Sequence, residues 1–165
     1  MGIPSQSTDD MLSRIEASMA DKIESMVEGP YFYTWGSVNE IDPAKQVWPS
    51  AEIRLVDELN VDDDGGAWVG VYLNEATFEI RVRARLDYEV ESPYYAINER
   101  LNRCLSDLKK CFGTNYSLTP CGLIMYRGMT REVEETGDVL MPKRMITTWM
   151  VRYTQERTNP LEVGD

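Results

Sequence analysis

The sequence predicts an α+β fold, a mostly antiparallel sheet with two amphipathic helices packed on one face, and three observations carry that prediction. Residues 76–86 alternate without a break. Phe78, Ile80, Val82, Ala84 and Leu86 fall on one side and Thr77, Glu79, Arg81, Arg83 and Arg85 on the other, as in a strand with one apolar and one polar face. Two other segments, 8–27 and 92–112, repeat their apolar residues at helical spacing instead. The order is helix, several strands, helix, two strands, and elements that come in runs segregate the helices to one face of an antiparallel sheet.

The first helix is expected over 8–27. Ser7 or Thr8 supplies the N-cap, Asp9 and Asp10 meet the positive end of the helix dipole, and Gly29-Pro30 stops it. Met11, Leu12, Ile15, Met19, Ile23, Met26 and Val27 make one apolar stripe, with Arg14, Glu16, Asp21, Lys22 and Glu24 on the other faces. Residues 31–35 read as a short strand. Residues 36–50 hold Pro43 and Pro49 without a sustained period, and read as a loop.

Residues 51–57 set Ala51, Ile53 and Leu55 against Glu52 and Arg54, which makes them a strand. Residues 60–66, with Asp62-Asp63-Asp64-Gly65-Gly66, read as a solvated connection, and 67–73 as the neighbour of the 76–86 strand. Ser92-Pro93 supplies an N-cap and a proline at the first helical position, and Gly113 a stop. Between them Tyr94, Ile97, Leu101, Cys104, Leu105, Leu108, Cys111 and Phe112 form the second stripe, with Leu101, Leu105 and Leu108 expected against Phe78, Ile80 and Val82. Strands come at 121–126 and 145–153, the second with Thr147, Trp149, Val151 and Tyr153 on one face. The charged stretch 128–143, ending near Pro142, is expected to be a long hairpin arm. One domain over 1–165 is expected, with loose termini at 1–7 and 158–165.

Composition narrows the chemistry. The 165 residues carry 17 basic against 28 acidic side chains, a net charge of −11. That balance disfavours a free duplex-DNA binder or a protein of anionic membrane surfaces, both of which need clustered cations. The chain has no histidine, so Ser-His-Asp and Cys-His catalysis and histidine-ligated zinc or haem are excluded. No stretch is apolar enough to span a bilayer, and the N-terminus lacks a secretory pattern. Three cysteines, an odd number, with Cys104 and Cys111 about 10 Å apart along a helix, read as reduced thiols of a cytoplasmic chain.

Several motifs fail on inspection. An EF-hand loop begun at Asp62 would place Leu73 at its acidic twelfth position. Glu132, Glu134, Glu135 and Asp138 have the residue types of a glycosidase pair but no aromatic cleft around them, and read as an exposed charged face. No phosphate-binding glycine pattern occurs. Cys121, beside Pro120 and Gly122 with no nearby cation, reads as packing. No catalytic, cofactor or metal site is expected. Arg81, Arg83 and Arg85 repel one another unless carboxylates lie opposite, so two readings stand: pairing within the chain, for example with Glu52, or contact with another copy.

A helix, a proline-containing loop and strand, the segment TFEIRVRARLD, the helix SPYYAINERLNRCLSDLKKCFG, a charged arm and the closing strand RMITTWMVRYTQE occur in that order. Over roughly residues 8 to 157 the chain resembles the tail terminator (tail completion, minor tail protein U-like) proteins of long-tailed bacteriophages. The resemblance implies a non-enzymatic virion subunit, made in the host cytoplasm, that forms a hexameric ring on the head-proximal end of the tail tube. There it stops tube polymerisation and offers the surface for head docking. Its partners would be further copies, the tail tube protein and the head–tail connector, with DNA passing through the lumen and no sequence-specific nucleic-acid binding. The residues expected at subunit or tube contacts are Arg81, Arg83, Arg85, Arg131, Glu132, Glu134, Glu135, Asp138, Leu140 and Met141. A head–tail connector or other neck protein is the near alternative. An acidic DNA mimic is one of another class, although the three arginines interrupt the acidic rows it would need.

Overall fold

The structure, a computed structural model, describes residues 11–26, 49–61, 71–84, 93–113, 117–118, 121–132 and 143–156. Helix α1 spans Met11–Glu24 and helix α2 Pro93–Gly113. The strands are β1 (Ser50–Asn60), β2 (Val71–Ala84), β3 (Ser117–Leu118), β4 (Cys121–Glu132) and β5 (Lys143–Glu156). They form one sheet in the order β1-β2-β5-β4-β3, antiparallel at every pairing. This is the expected α+β architecture. The expected strand at 31–35, the loop at 36–48, the acidic run at 62–64, Arg85, the arm residues 133–142 and the C-terminal tail lie outside the described residues.

The alternation along β2 sets which face is buried. Ala76, Phe78, Ile80, Val82 and Ala84 all point inward, and β5, paired with β2 from Val71↔Glu156 to Ala84↔Lys143, matches them with Met145, Thr147, Trp149, Val151 and Tyr153. Against this surface α2 lays Ile97, Leu101, Cys104, Leu108 and Phe112, and α1 adds Met11, Ile15, Met19 and Ile23 to the same core. Burying an aliphatic or aromatic side chain of this size stabilises a fold by about 1.5–3 kcal/mol. Both helices therefore stay on one side.

Thr147 and Trp149 carry polar groups into that core, and those are satisfied locally. The Thr147 hydroxyl donates to the Ile80 carbonyl at 3.0 Å and accepts from the Trp149 indole N–H at 2.8 Å, so neither incurs the cost of an unpaired buried dipole. The last turn of α1 tightens at Met26 N–H to the Ile23 carbonyl, 3.1 Å, and the Ser25 hydroxyl donates to the Lys22 carbonyl at 2.8 Å. These bonds take up two carbonyls that the helix end would leave open.

Four expectations are corrected. Strand β1 runs to Asn60, past the expected end at 57, and Val56 is an extra residue between Leu55↔Phe78 and Asp57↔Thr77. That bulge reverses the alternation. Glu58 turns inward to accept from the Tyr153 hydroxyl, and Leu59 turns outward, 58% exposed. Second, residues 71–73, expected in a separate neighbouring strand, open β2 itself, and its true neighbours are β1 and β5.

Third, both ends of the stretch expected as an arm, 128–143, belong to strands. Residues 127–132 continue β4 and Lys143 and Arg144 open β5, paired as Glu132↔Arg144. The charged side chains there pair across the ladder, so charge did not end the strand. Fourth, Leu105 is only partly buried while Leu101 and Leu108 are fully so. The helical stripe is narrower than the count of apolar residues suggested.

Candidate interaction surfaces

The sheet face away from the helices is organised in cross-strand rows. At one end stand Ser50, Arg83, Arg144 and Glu132, then Glu52, Arg81, Ile146 and Thr130. Charges meet charges along these rows. The Arg144 guanidinium donates to Glu132 from Nε at 2.7 Å. Arg81 meets Glu79 of its own strand at 3.3 Å rather than Glu52, its neighbour in register. Arg83 is exposed and, among the described residues, has no ion-pair partner.

The other end of this face is different. One row holds Asp57, Thr77, Met150 and Met125, and the next Leu59, Glu75, Arg152 and Leu123. Arg152 Nε donates to Glu75 at 3.0 Å, and on either side of that pair Leu59 and Leu123 stand 58% and 40% exposed. Two exposed leucines flanking an ion pair, next to a buried Met150 in the adjacent row, make a mixed patch of the composition that protein contacts use.

Of the expected contact residues, the structure brings Arg81, Arg83 and Glu132 onto this outer face and places Arg131 on the other. Arg131 donates to Asn98 Oδ1 at 3.2 Å and to Asn102, tying β4 to α2. Glu132 is held by Arg144. Arg85, Glu134, Glu135, Asp138, Leu140 and Met141 lie outside the described residues.

A second feature lies at the sheet edge, where the C-terminal end of α2 meets β4. A recess of about 360 Å³ is lined by Phe112, Ile124, Met125, Tyr126 and Trp149, with Lys109 and Arg127 among its lining residues. Its aromatic rings interlock, Phe112 to Trp149 at 5.0 Å and Tyr126 to Trp149 at 5.2 Å. The Lys109 ammonium sits 4.5 Å from the Tyr126 ring centre, within cation–π range. An Arg127 Nη lies 3.4 Å from Met150 Sδ.

Sequence reasoning missed this recess. Lys109 and Phe112 share one turn of the predicted helix, but the partner residues come from a strand expected to stop at 126, and Arg127 stands at a bulge between Tyr126↔Trp149 and Gly128↔Thr148. Gly128 beside it has φ 158°, a backbone that glycine reaches without Cβ strain.

The cysteines behave as packing groups. Burial first, and then the neighbouring Asp107 carboxylate, push the Cys104 thiol up to about 12, and burial pushes Cys111 up to about 11 against the opposing charge of Lys22. Neither holds an appreciable thiolate near neutral pH. The Cys121 side chain lies outside the described residues. Among the described residues no group of three Cys, Asp or Glu side chains is placed to hold a metal ion, and no helix is long and apolar enough to cross a membrane. No protein-family model matches the chain, and no curated protein matches it either.

Proposed function

We propose that this chain is a structural virion protein, a tail terminator. Its copies form a ring, a hexamer as in the proteins it resembles, on the head-proximal end of a phage tail tube. The ring stops tube polymerisation and provides the docking surface for the head–tail connector. The proposal gives the chain no catalysis and no cofactor.

One observation carries the reading. Both helices pack on the same side of the sheet, so a four-strand face is left with cross-strand ion pairs and the exposed Arg83 at one end and Leu59 and Leu123 at the other. A surface with charge and apolar groups segregated in this way can fix orientation through the first and gain affinity through the second. The order of elements, helix, two strands, helix, then a hairpin joined through the charged segment 133–142, supports the same reading through the family resemblance. Acidic mimicry of DNA is less well supported, because arginines interleave the carboxylates on this face.

Elongation of the tail tube tests the proposal. Purified chain added to polymerising tail tube protein should give short tubes of arrested length, seen by electron microscopy. Tubes that grow equally long with and without it would overturn the assignment.

A further inference from the structure

We propose that copies of this chain join edge to edge, strand β1 of one subunit pairing antiparallel with the outer edge of β4 in the next, so that the sheet runs on from subunit to subunit. The inference rests on the ring reading and deepens it by naming the strands that hold the ring together. Backbone, apolar surface and charge all point to the same two strands.

The sheet is open on both sides. Among the described residues β1 pairs only with β2, and β3 stops at Leu123, so β4 has no outer partner from Ile124 onward. Each strand therefore presents a row of N–H and C=O groups ready for pairing. Three antiparallel steps, β1-β2-β5-β4, leave β1 and β4 running in opposite directions, so a neighbour set alongside in the same orientation offers its β1 to β4 in the antiparallel sense. Within one copy the two strands are three spacings apart, about 14 Å, and do not meet. The contact is head to tail, and it closes into a ring where the rotation allows.

Exposed apolar surface gathers at these edges. Apart from Tyr95 on α2, every large apolar side chain exposed among the described residues lies on β1 or β4: Val56 and Leu59 on one, Leu123, Tyr126 and Met129 on the other. Charge is complementary as well. Strand β1 carries Glu52, Asp57 and Glu58 against Arg54, whereas residues 93–132, from the start of α2 to the end of β4, carry six basic against three acidic side chains in a chain of net charge −11. Among the described residues neither Lys109 nor Arg127 meets a carboxylate, and Asp57 meets no cation. Acidic side chains guard an edge against a like edge, but they attract a cationic one.

The bulges set the register. Val56 is the extra residue in β1 and Arg127 in β4, and only when the two are opposed do the inward and outward side chains stay matched along the whole pair. That alignment faces Glu52 with Thr130 and Leu55 with Tyr126 before the bulges, and Asp57 with Met125 beyond them. Each of these pairs shares a face through its pairing within its own subunit. Asp57 then comes beside Arg127 on the face away from the helices. Glu58, turned toward the helices, comes beside Lys109 over the Tyr126 ring.

Two experiments on the full chain test this. Sedimentation compares the wild type with Arg127→Glu and with Asp57→Arg, exposed substitutions that should leave the circular dichroism unchanged. Each should weaken association about tenfold, and the two combined in one chain should restore it, because the pair re-forms with its signs exchanged. Unchanged association in either single variant, or no recovery in the combined one, would overturn the proposal.

Disulfide trapping reads the register. Glu52→Cys and Thr130→Cys, placed in one chain, stand at opposite edges of the sheet, too far apart to join within a copy. Mild oxidation should therefore give a ladder of oligomers in which mass spectrometry finds position 52 of one copy linked to position 130 of another, and neither substitution alone should give one. No ladder, or links of 52 to 52 or of 130 to 130 in its place, would reject the pairing. Tail capping enters neither readout, so a 52-to-130 link without control of tube length would sink the terminator reading alone, and capped tubes without that link would sink this one alone.

Discussion

Replacing Leu108 with alanine tests the rotational setting of α2, on which both the core and the recess depend. Leu108 is fully buried with Leu101 and Phe112 in the core between α2 and the sheet, while Leu105, one turn away, is only partly covered. Removing a fully buried leucine loses its transfer free energy and leaves a cavity, a cost of about 2–5 kcal/mol. With a urea dependence of about 2 kcal/mol per molar, a loss of about 3 kcal/mol lowers the unfolding midpoint by about 1.5 M. Leu105→Ala keeps part of its surface in water in either state, and its midpoint should fall by less than half as much. Urea unfolding followed by tryptophan fluorescence and circular dichroism measures both. Equal losses, or a larger loss for Leu105, would mean that α2 is rotated. In that case Lys109 would not face Tyr126.

Three further outcomes are expected. Arg83→Glu with Arg85→Glu should keep native-like circular dichroism but lower the sedimentation coefficient of the assembly; unchanged association would leave the arginine face to contacts within one chain. Replacing 133–141 by a Gly/Ser linker, bounded to spare β4 and β5, should give a folded, soluble protein, since a flexible connection costs little closure entropy, and phage carrying it should show overlong or unjoined tails. Normal particles would make the segment dispensable. The Cys104 thiol, raised in the folded state to about 12, adds no pH dependence below its unfolded value near 9; above that only the unfolded chain releases the proton. Stability should therefore fall by about 1 kcal/mol between about pH 8 and 10 on this account, and Cys104→Ala should remove that part of the slope in urea titrations.

Much of the fold was legible because period-2 alternation and a broad helical stripe are strong, local signals. Phe78, Ile80 and Val82 announced the buried face of β2, and Ser92-Pro93 with Gly113 bracketed α2. Bulges were not legible. Nothing in the sequence marks Val56 or Arg127 as an extra residue, and each reverses the inward and outward sense of the strand beyond it, which is why Leu59 emerges on the surface and Glu58 meets Tyr153.

The surface was harder still. Arg81, Arg83 and Glu132 were placed on one face by strand parity and register, and parity at least shows in a sequence. The recess depends on Lys109 lying against a strand distant from it in the chain, through a helix–sheet crossing that no local pattern encodes.

Negative-stain electron microscopy of the purified protein, alone and after mixing with assembled tails, tests the central claim most directly. The account predicts rings of uniform diameter, one seated on the head-proximal end of each tube. Single particles of one subunit's size with tube ends left bare, or protein scattered along the tube walls, would contradict it.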